Sequence, residues 1–372
     1  MISNERGQQT MSFRRFLQGG GKERNYIILD PSSYAAEFAG KRGGHPTLED
    51  TFAFHAKFPS DSPLCLEFAL ERYVPELVWK RTVLKEEKDE TCVEETIQLH
   101  GDTKRRVVAE KRGTIPWLVE SSIRTEADFD LIDYYSEKIQ EHARTIAATV
   151  TPQIKQCVTE GFMPAAVVLT PFEAYWLIDY PDMPVMYYDF PDRYLLTIEK
   201  VHQSNLVLIK ELAKAGCEMF GMGSAGLELL SPRIFDEAII PYARETTDYI
   251  RSLGAFSCYH ICGHSRQLLE TGRINAIKPT WFETFSTPPC GNNNSLKESL
   301  QFLDTDIISK GNLPLDLLLK GPPAEIRRVT RDIINQSNKR RHIIGQADGT
   351  ILSGTPHENI QAFLSVARDY GN

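Results

Sequence analysis

From Gly161 onward the chain alternates short apolar runs with longer amphipathic ones, and no other feature of its 372 residues constrains the fold as much. Ala165 to Thr170 is a short apolar run followed by a proline-led segment. Pro191 to Ala215 carries helical periodicity through Leu195, Leu196, Ile198, Val201, Leu206 and Ile209, and Cys217 to Gly221 is a second short strand. Ser231-Pro232 opens a helix with an N-cap and an N1 proline, and Gly254 closes it. Further strands are predicted at Phe256 to Ile261, Ile274 to Ile277, Asp306 to Ser309 and Ile343-Ile344. Helices are predicted at Ser295 to Leu303 and Pro323 to Gln336, and Thr355-Pro356-His357-Glu358 reads as a capping box opening a last helix to about Asp369. Repeated βα units demand a parallel sheet with crossover helices. No Gly-rich dinucleotide turn is present, so an α/β fold of the (β/α)8 TIM-barrel type is expected rather than a doubly wound sheet.

The first 160 residues read as mixed and irregular. Ile27-Ile28-Leu29 is a strand candidate, and Thr91 to Glu110 alternates on both sides of Gly101-Asp102, which signals a β-hairpin. Ile123 to Ile146 looks helical and strongly charged. The expected organisation is an irregular N-terminal extension over residues 1–90, packed on a barrel with a hairpin insertion over residues 91–372.

Charge and composition exclude several classes of function. With 42 basic against 50 acidic side chains the formal net charge is −8, which leaves no electrostatic footprint for nucleic acid. Apolar runs fall far short of the roughly 20 residues that cross a bilayer, and Met1 to Arg24 is polar and Gly-rich, unlike a signal peptide. Seven scattered cysteines with no CxxC pair suit reduced thiols and a cytoplasmic location.

In such a barrel the reactive groups sit where strands end and loops begin. The most informative string there is Cys258-Tyr259-His260-Ile261-Cys262-Gly263-His264-Ser265. His260 and Cys262 alternate along a strand end and point to the same face, so an imidazole and a thiolate are placed to share one Zn²⁺. By spacing alone a buried, hydrogen-bonded histidine beside an inert core cysteine is the commoner arrangement, because a zinc site normally needs three or four ligands.

His260-x-Cys262-Gly263 after a strand, preceded by Leu229-Leu230-Ser231-Pro232 and Pro241-Tyr242, resembles the uroporphyrinogen decarboxylase superfamily, and in particular its corrinoid-dependent methyltransferases. The resemblance continues through Gly311-Asn312-Leu313 and Gly321-Pro322-Pro323-Ala324-Glu325-Ile326, and closes with Gly354-Thr355-Pro356-His357-Glu358-Asn359-Ile360. It covers about residues 95 to 370 and implies a (β/α)8 barrel. It also implies transfer of a methyl group to Co(I) of a corrinoid (cobalamin) held by a separate protein, with zinc as a further cofactor.

Departures from the pattern narrow the branch. The arginine-rich segment with which the decarboxylase holds its substrate's carboxylates has no match here. The thiol-methylating branch binds zinc through His-x-Cys and a later cysteine, where this chain has Gly349, next to Asp348; no cysteine follows Cys290. That argues against a thiol acceptor. Carboxylates are candidate replacement ligands: Glu283 in Trp281-Phe282-Glu283-Thr284-Phe285, Asp348 near the last strand, and Glu228 after Gly221-Met222-Gly223-Ser224. For any single one of these acids a loop cap or a solvent contact is the commoner role.

Aromatic residues are dense in two strand-end segments: Phe172, Tyr175, Trp176, Tyr180, Tyr187 and Tyr188 in one, Trp281, Phe282 and Phe285 in the other. Such stripes often belong to a core, but here they alternate with Pro171, Pro181, Pro184, Pro288 and Pro289 on the expected catalytic face, which suits a flat pocket for an aromatic methyl ether. Removing a methyl group from an aryl oxygen needs a Lewis acid or a proton there, from zinc held by His260 with carboxylates or from His260 itself. His264 either positions substrate or starts the next helix. The leading expectation is an O-demethylase component moving a methyl group from a small methoxylated aromatic donor to a corrinoid protein. The alternatives are a decarboxylase of a small acid and a non-catalytic barrel.

Overall fold

The computed structural model describes residues 2–41, 46–66, 70, 74–88, 90–111, 116–168, 170–223, 230–347 and 349–369. Its strands are β1 (Tyr26–Ile28), β2 (Leu64–Cys65), β3 (Lys80–Glu86), β4 (Glu90–Leu99), β5 (Asp102–Lys111), β6 (Trp117–Glu120), β7 (Pro164–Val167), β8 (Met219–Met222), β9 (Phe256–His260), β10 (Trp281–Glu283), β11 (Ile308–Leu313) and β12 (His342–Gln346). Eight of them form one parallel sheet in the order β1-β12-β11-β10-β9-β8-β7-β2. The other four form the antiparallel sheet β3-β4-β5-β6, with the expected hairpin at its centre.

The parallel sheet curls until its two ends meet. β2 has only two residues, both paired with β7, so residues just ahead of it make the seam with β1. Asp61 N donates to Ile27 O at 2.6 Å, and the Asp61 carboxylate accepts from Ile27 N at 2.8 Å. Ser62 Oγ accepts from Leu29 N at 2.9 Å and donates to Leu29 O at 2.8 Å. This is the expected barrel. Residues 1–90 supply two of its strands, β1 and β2, as well as material outside it.

Side-chain alternation divides the apolar residues into two cores. The outward faces of the strands pack under the surrounding helices, which include Phe129–Thr159, Pro191–Ala215, Pro323–Ser337 and His357–Ala367. The inward faces (Tyr26, Ile28, Ala165, Met219, Phe256, Cys258, Trp281, Ile308 and Ile343) join Phe13, Phe16 and Leu17 of the helix Ile2–Leu17. That helix stoppers the end of the barrel where the strands begin. The Phe16 ring stacks 4.4 Å from Tyr26, Arg14 Nη2 donates to Glu218 Oε1 at 2.6 Å ahead of β8, and Arg341 donates to Phe16 O ahead of β12. The opposite end, where the strands finish, is the mouth.

Several elements differ from expectation. Ile274 to Ile277 lies in the short helix Arg273–Ile277, because its apolar side chains cover the outer core; the strand of that unit is Trp281–Glu283, three residues long. The charged helix starts at Phe129 rather than Ile123, after a turn in which the Asp128 carboxylate accepts from the backbone of Arg124 and Thr125, and it runs on to Thr159. At the last helix Thr355 turns its hydroxyl back to Leu352 O at 2.7 Å, so no capping box forms there. Among the described residues no helix is long and apolar enough to cross a membrane.

The stopper gives a stability test. Phe16→Ala empties a fully buried site and is expected to cost about 3–5 kcal/mol, read as a lower urea midpoint. A loss under about 1 kcal/mol, well below the cost of emptying a filled site, would show that the helix is not seated in the barrel.

Candidate functional site

One inward step above the buried cluster, each strand or the residue following it presents a side chain to the mouth. Continuing the alternation gives Asp30 after β1, Cys65 on β2, Val167 on β7, Gly221 on β8, His260 on β9, Glu283 on β10, Lys310 on β11 and Gly345 on β12. Two glycines and two small side chains leave an open well. Three ionisable groups stand side by side, because the register aligns Glu283 with His260 on one flank and with Lys310 on the other.

These three are bonded as a chain. His260 Nδ1 meets Glu283 Oε1 at 2.8 Å, and Lys310 Nζ meets Glu283 Oε2 at 3.4 Å, the same distance at which the Trp281 indole N–H reaches that oxygen. On its other edge His260 Nε2 lies 2.9 Å from Cys262 Sγ. Lys310 is almost wholly buried, and the packing that admits it depends on Gly345, where a Cβ would lie 2.9 Å from Lys310 Cε and 2.7 Å from Ile28 O. Gly223, at φ +82, brings the loop after β8 against β9, where a Cβ would lie 2.1 Å from His260 O.

Electrostatics follows from that chain. Burial opposes a charge on His260, but the hydrogen bonds to Cys262 and Glu283 and the carboxylate's charge outweigh it, raising the imidazole from 6.5 to about 10. Burial likewise opposes ionisation of Glu283, yet Lys310 and His260 hold it far below the ordinary carboxylate range. The His260 proton therefore stabilises the fold fully below its ordinary value of 6.5, and this is lost as pH rises through about 10. The Glu283 charge contributes above its ordinary value of 4.5 and is lost only in strong acid. Cys65 is pushed up to about 12 by burial and by the charges of Asp30 and Glu283, so it is a neutral thiol.

The structure brings together His260, Cys262 and Glu283 of the predicted residues. Glu228 and Asp348 lie outside the described residues. His264 is exposed on the loop after Cys262. The aromatic set divides. Phe172 is buried against Tyr194, Phe285 is buried edge-on to Phe282, and Tyr175 hydrogen-bonds Ser136 and Ser204 in the outer core; all three are packing residues rather than mouth residues, because their loop backbones turn them under the helices. Trp281 is floor, in the cluster beneath Glu283. Tyr180 is half-buried against the outer core. Trp176 is 47% exposed, its indole N–H directed to Glu173 Oε1 at 3.3 Å.

Two mouth residues escape the sequence reading, Lys310 and Asp30. The signal was present: extending the alternation beyond Ile308, and beyond Ile28, reaches each of them. A cavity of about 430 Å³ lined by His100, Asp130, Asp133, Tyr134 and Lys200 lies among the outer helices beside the hairpin, away from the strand ends.

For a metal, His260 Nε2 and Cys262 Sγ converge, and an imidazole nitrogen with a thiolate sulfur is a zinc donor pair. Glu283 bonds the opposite edge of the ring, so in this arrangement it stands behind the histidine and orients it rather than joining Cys262 at Nε2. Among the described residues no three His, Cys, Asp or Glu side chains gather as a metal requires. The pair thus fits part of a zinc ligand set.

A family model described as uroporphyrinogen decarboxylase (URO-D) matches residues 107–370. No curated protein matches the chain. Among solved structures, a methyltransferase from Methanosarcina mazei matches with a TM-score of 0.64 at 12% identity, over 96% of this chain and 98% of that one. A B12-independent methionine synthase from Shewanella sp. W3-18-1 matches with a TM-score of 0.40 at 12% identity, over 78% of this chain and 74% of that one.

The charge chain predicts a titration. Glu283→Gln keeps the shape and removes the charge, so the His260 imidazole, followed by NMR, should titrate roughly 1–3 units below its value in the unaltered protein. An unmoved titration would mean that Glu283 does not hold the proton on His260.

Proposed function

The chain belongs to the uroporphyrinogen decarboxylase (URO-D) family, and from that premise we propose that it is a methyltransferase taking a methyl group from a small methoxylated aromatic donor to the Co(I) corrinoid of a partner protein. One observation carries this choice within the family: among the described residues, the inward strand-end positions are Asp30, Cys65, Val167, Gly221, His260, Glu283, Lys310 and Gly345, with no arginine, and the lysine is committed to Glu283. A substrate with several carboxylates needs several cations. An uncharged donor suits this well, with Trp176 exposed at the same strand-end face to cover a flat ring. The likeness to the Methanosarcina mazei methyltransferase supports the same branch.

In this reading the aryl oxygen lies near His260. The methyl carbon leaves that oxygen for the cobalt, and the electron pair of the C–O bond stays on the oxygen. His260 keeps its proton between Glu283 and Cys262 and presents positive charge to the oxygen as the bond breaks. Glu283 and Lys310 hold the imidazole in place, so these two are positioning residues. His260 and Cys262 are also the residues that would hold zinc, which would take the place of the proton between them and supply Lewis-acid polarisation of the donor oxygen.

The family description favours one further reading, decarboxylation of a small acid. Among the described inward residues of the mouth, Lys310 and the protonated His260 are the cations that would meet a carboxylate, and the commitment of both to Glu283 places this reading second.

A visible spectrum of a Co(I) corrinoid protein, mixed with this protein and a panel of methoxybenzenes, tests the choice. Methylation of the cobalt is expected, with His260→Ala slowing it by about 100-fold or more. Carbon dioxide release from small acids without any cobalt methylation would replace this reading with the second one.

A further inference from the structure

The well has a second acidic group, Asp30, which the methyl-transfer reading above does not use. It follows β1 on the inward side, after Tyr26 and Ile28, and so stands over the buried cluster and faces the mouth. It is solvent-accessible and yet ringed by protein, as a residue lining a concavity is. Its backbone is clamped: Asp30 O accepts from Ile351 N at 2.8 Å, and Asp30 N donates to the Gln346 side-chain oxygen at 2.9 Å once that amide is turned to satisfy both of its ends. Oδ1 accepts from Ser32 N and Ser32 Oγ, each at 3.0 Å. Among the described residues Oδ2 has no bonded partner and Asp30 has no ion pair. A carboxyl at an inward position, held this firmly and with one oxygen left unbonded among the described residues, is available to a molecule in the well.

The groups facing Asp30 are Lys310 from β11, Glu283 from β10 and Cys65 from β2. Lys310 is shared with Glu283, which takes most of its benefit. Burial, assisted by the Glu283 charge, raises the Asp30 carboxyl from its ordinary value, against the Ser32 hydrogen bonds and Lys310. The two mouth carboxyls are thus driven apart, Glu283 toward permanent charge and Asp30 toward the neutral acid, and such a split distinguishes a charge-holder from a proton donor.

We propose that Asp30 is the proton donor of this site, passing its carboxyl proton to the aryl oxygen as the methyl group leaves. The inference rests on the methyl-transfer reading. The balance is complete: the methyl–oxygen bond breaks with its electron pair on oxygen, cobalt's electron pair forms the new bond to carbon, and the oxygen takes the Asp30 proton. The products are a phenol, a methylated corrinoid and an Asp30 carboxylate, which water reprotonates. This division of labour answers the difficulty that His260, bonded on both edges, is a poor acid.

The experiment is a leaving-group series with Asp30→Asn, which preserves shape and can still accept from Ser32. Single-turnover methylation of a Co(I) corrinoid protein is followed with methoxybenzenes whose phenols range from weakly to strongly acidic. Help from a proton matters most when the leaving oxygen is basic, so Asp30→Asn should slow weakly acidic phenols by about 100-fold or more and the most acidic by under about threefold. Ser32→Ala, which removes one of the two donors to Oδ1 without removing the acid, should leave the dependence on phenol acidity close to that of the unaltered protein. Transfer in the unaltered protein with equal slowing of every donor by Asp30→Asn, or with none, would overturn the role of Asp30 while leaving methyl transfer standing. No transfer from any donor by the unaltered protein would overturn the methyl-transfer reading and the proton-donor role with it.

Discussion

The site depends on the pairing of Glu283 with cationic groups on both sides. A carboxylate set into the inside of a barrel is costly unless opposite charge and hydrogen bonds reach it, and here the register supplies them, aligning His260 and Lys310 with it on the two neighbouring strands. Each partner needs Glu283 as much as it needs them. Lys310 has almost no contact with solvent, and His260 keeps its proton because Glu283 stands behind it. Removing Glu283 leaves two cations facing each other without a counter-charge, and removing either cation takes a hydrogen-bond partner from the carboxylate, so the trio is one unit rather than three residues with separate roles.

The remainder of the barrel makes that unit possible by being asymmetric along its axis. At the starting ends of the strands Phe13, Phe16 and Leu17 complete an apolar cluster with Tyr26 and Trp281, which excludes water and stiffens the base. At the finishing ends Gly221 and Gly345 remove side chains, and the space they vacate holds the Lys310 stem and the open well. A rigid base and a vacated rim fix polar groups without filling the room that a substrate needs. Trp281 marks the boundary, its ring in the apolar cluster and its N–H on Glu283.

The parts legible in the sequence were those governed by local pattern. Pro191–Ala215 has a helical stripe and a proline start, and it folds over those residues. The hairpin of β4 and β5 turns at Gly101-Asp102, where the alternation changes direction. The parts that were not legible are short or depend on distant partners. Trp281–Glu283 is three residues, too few to show a period, while Ile274 to Ile277 looks like a strand because burial under a helix layer requires the same apolar residues. Phe172, Tyr175 and Phe285 carry no local sign of which way their loops turn them.

The sequence by itself determined the barrel class and the pairing of His260 with Cys262, because periodicity and two-residue spacing act over a few neighbours along the chain. Only the tertiary structure decided what surrounds that pair. Glu283 stands behind the imidazole instead of beside Cys262, Lys310 neutralises it, and Asp30 faces both from a strand more than 200 positions away in the chain. Those relations arise when the sheet closes and the strand register brings distant residues to one level, and the closure is made by Asp61 and Ser62 bridging β1 to the approach of β2. Charge in a low-dielectric well acts through distance in space, and that distance is set by the fold.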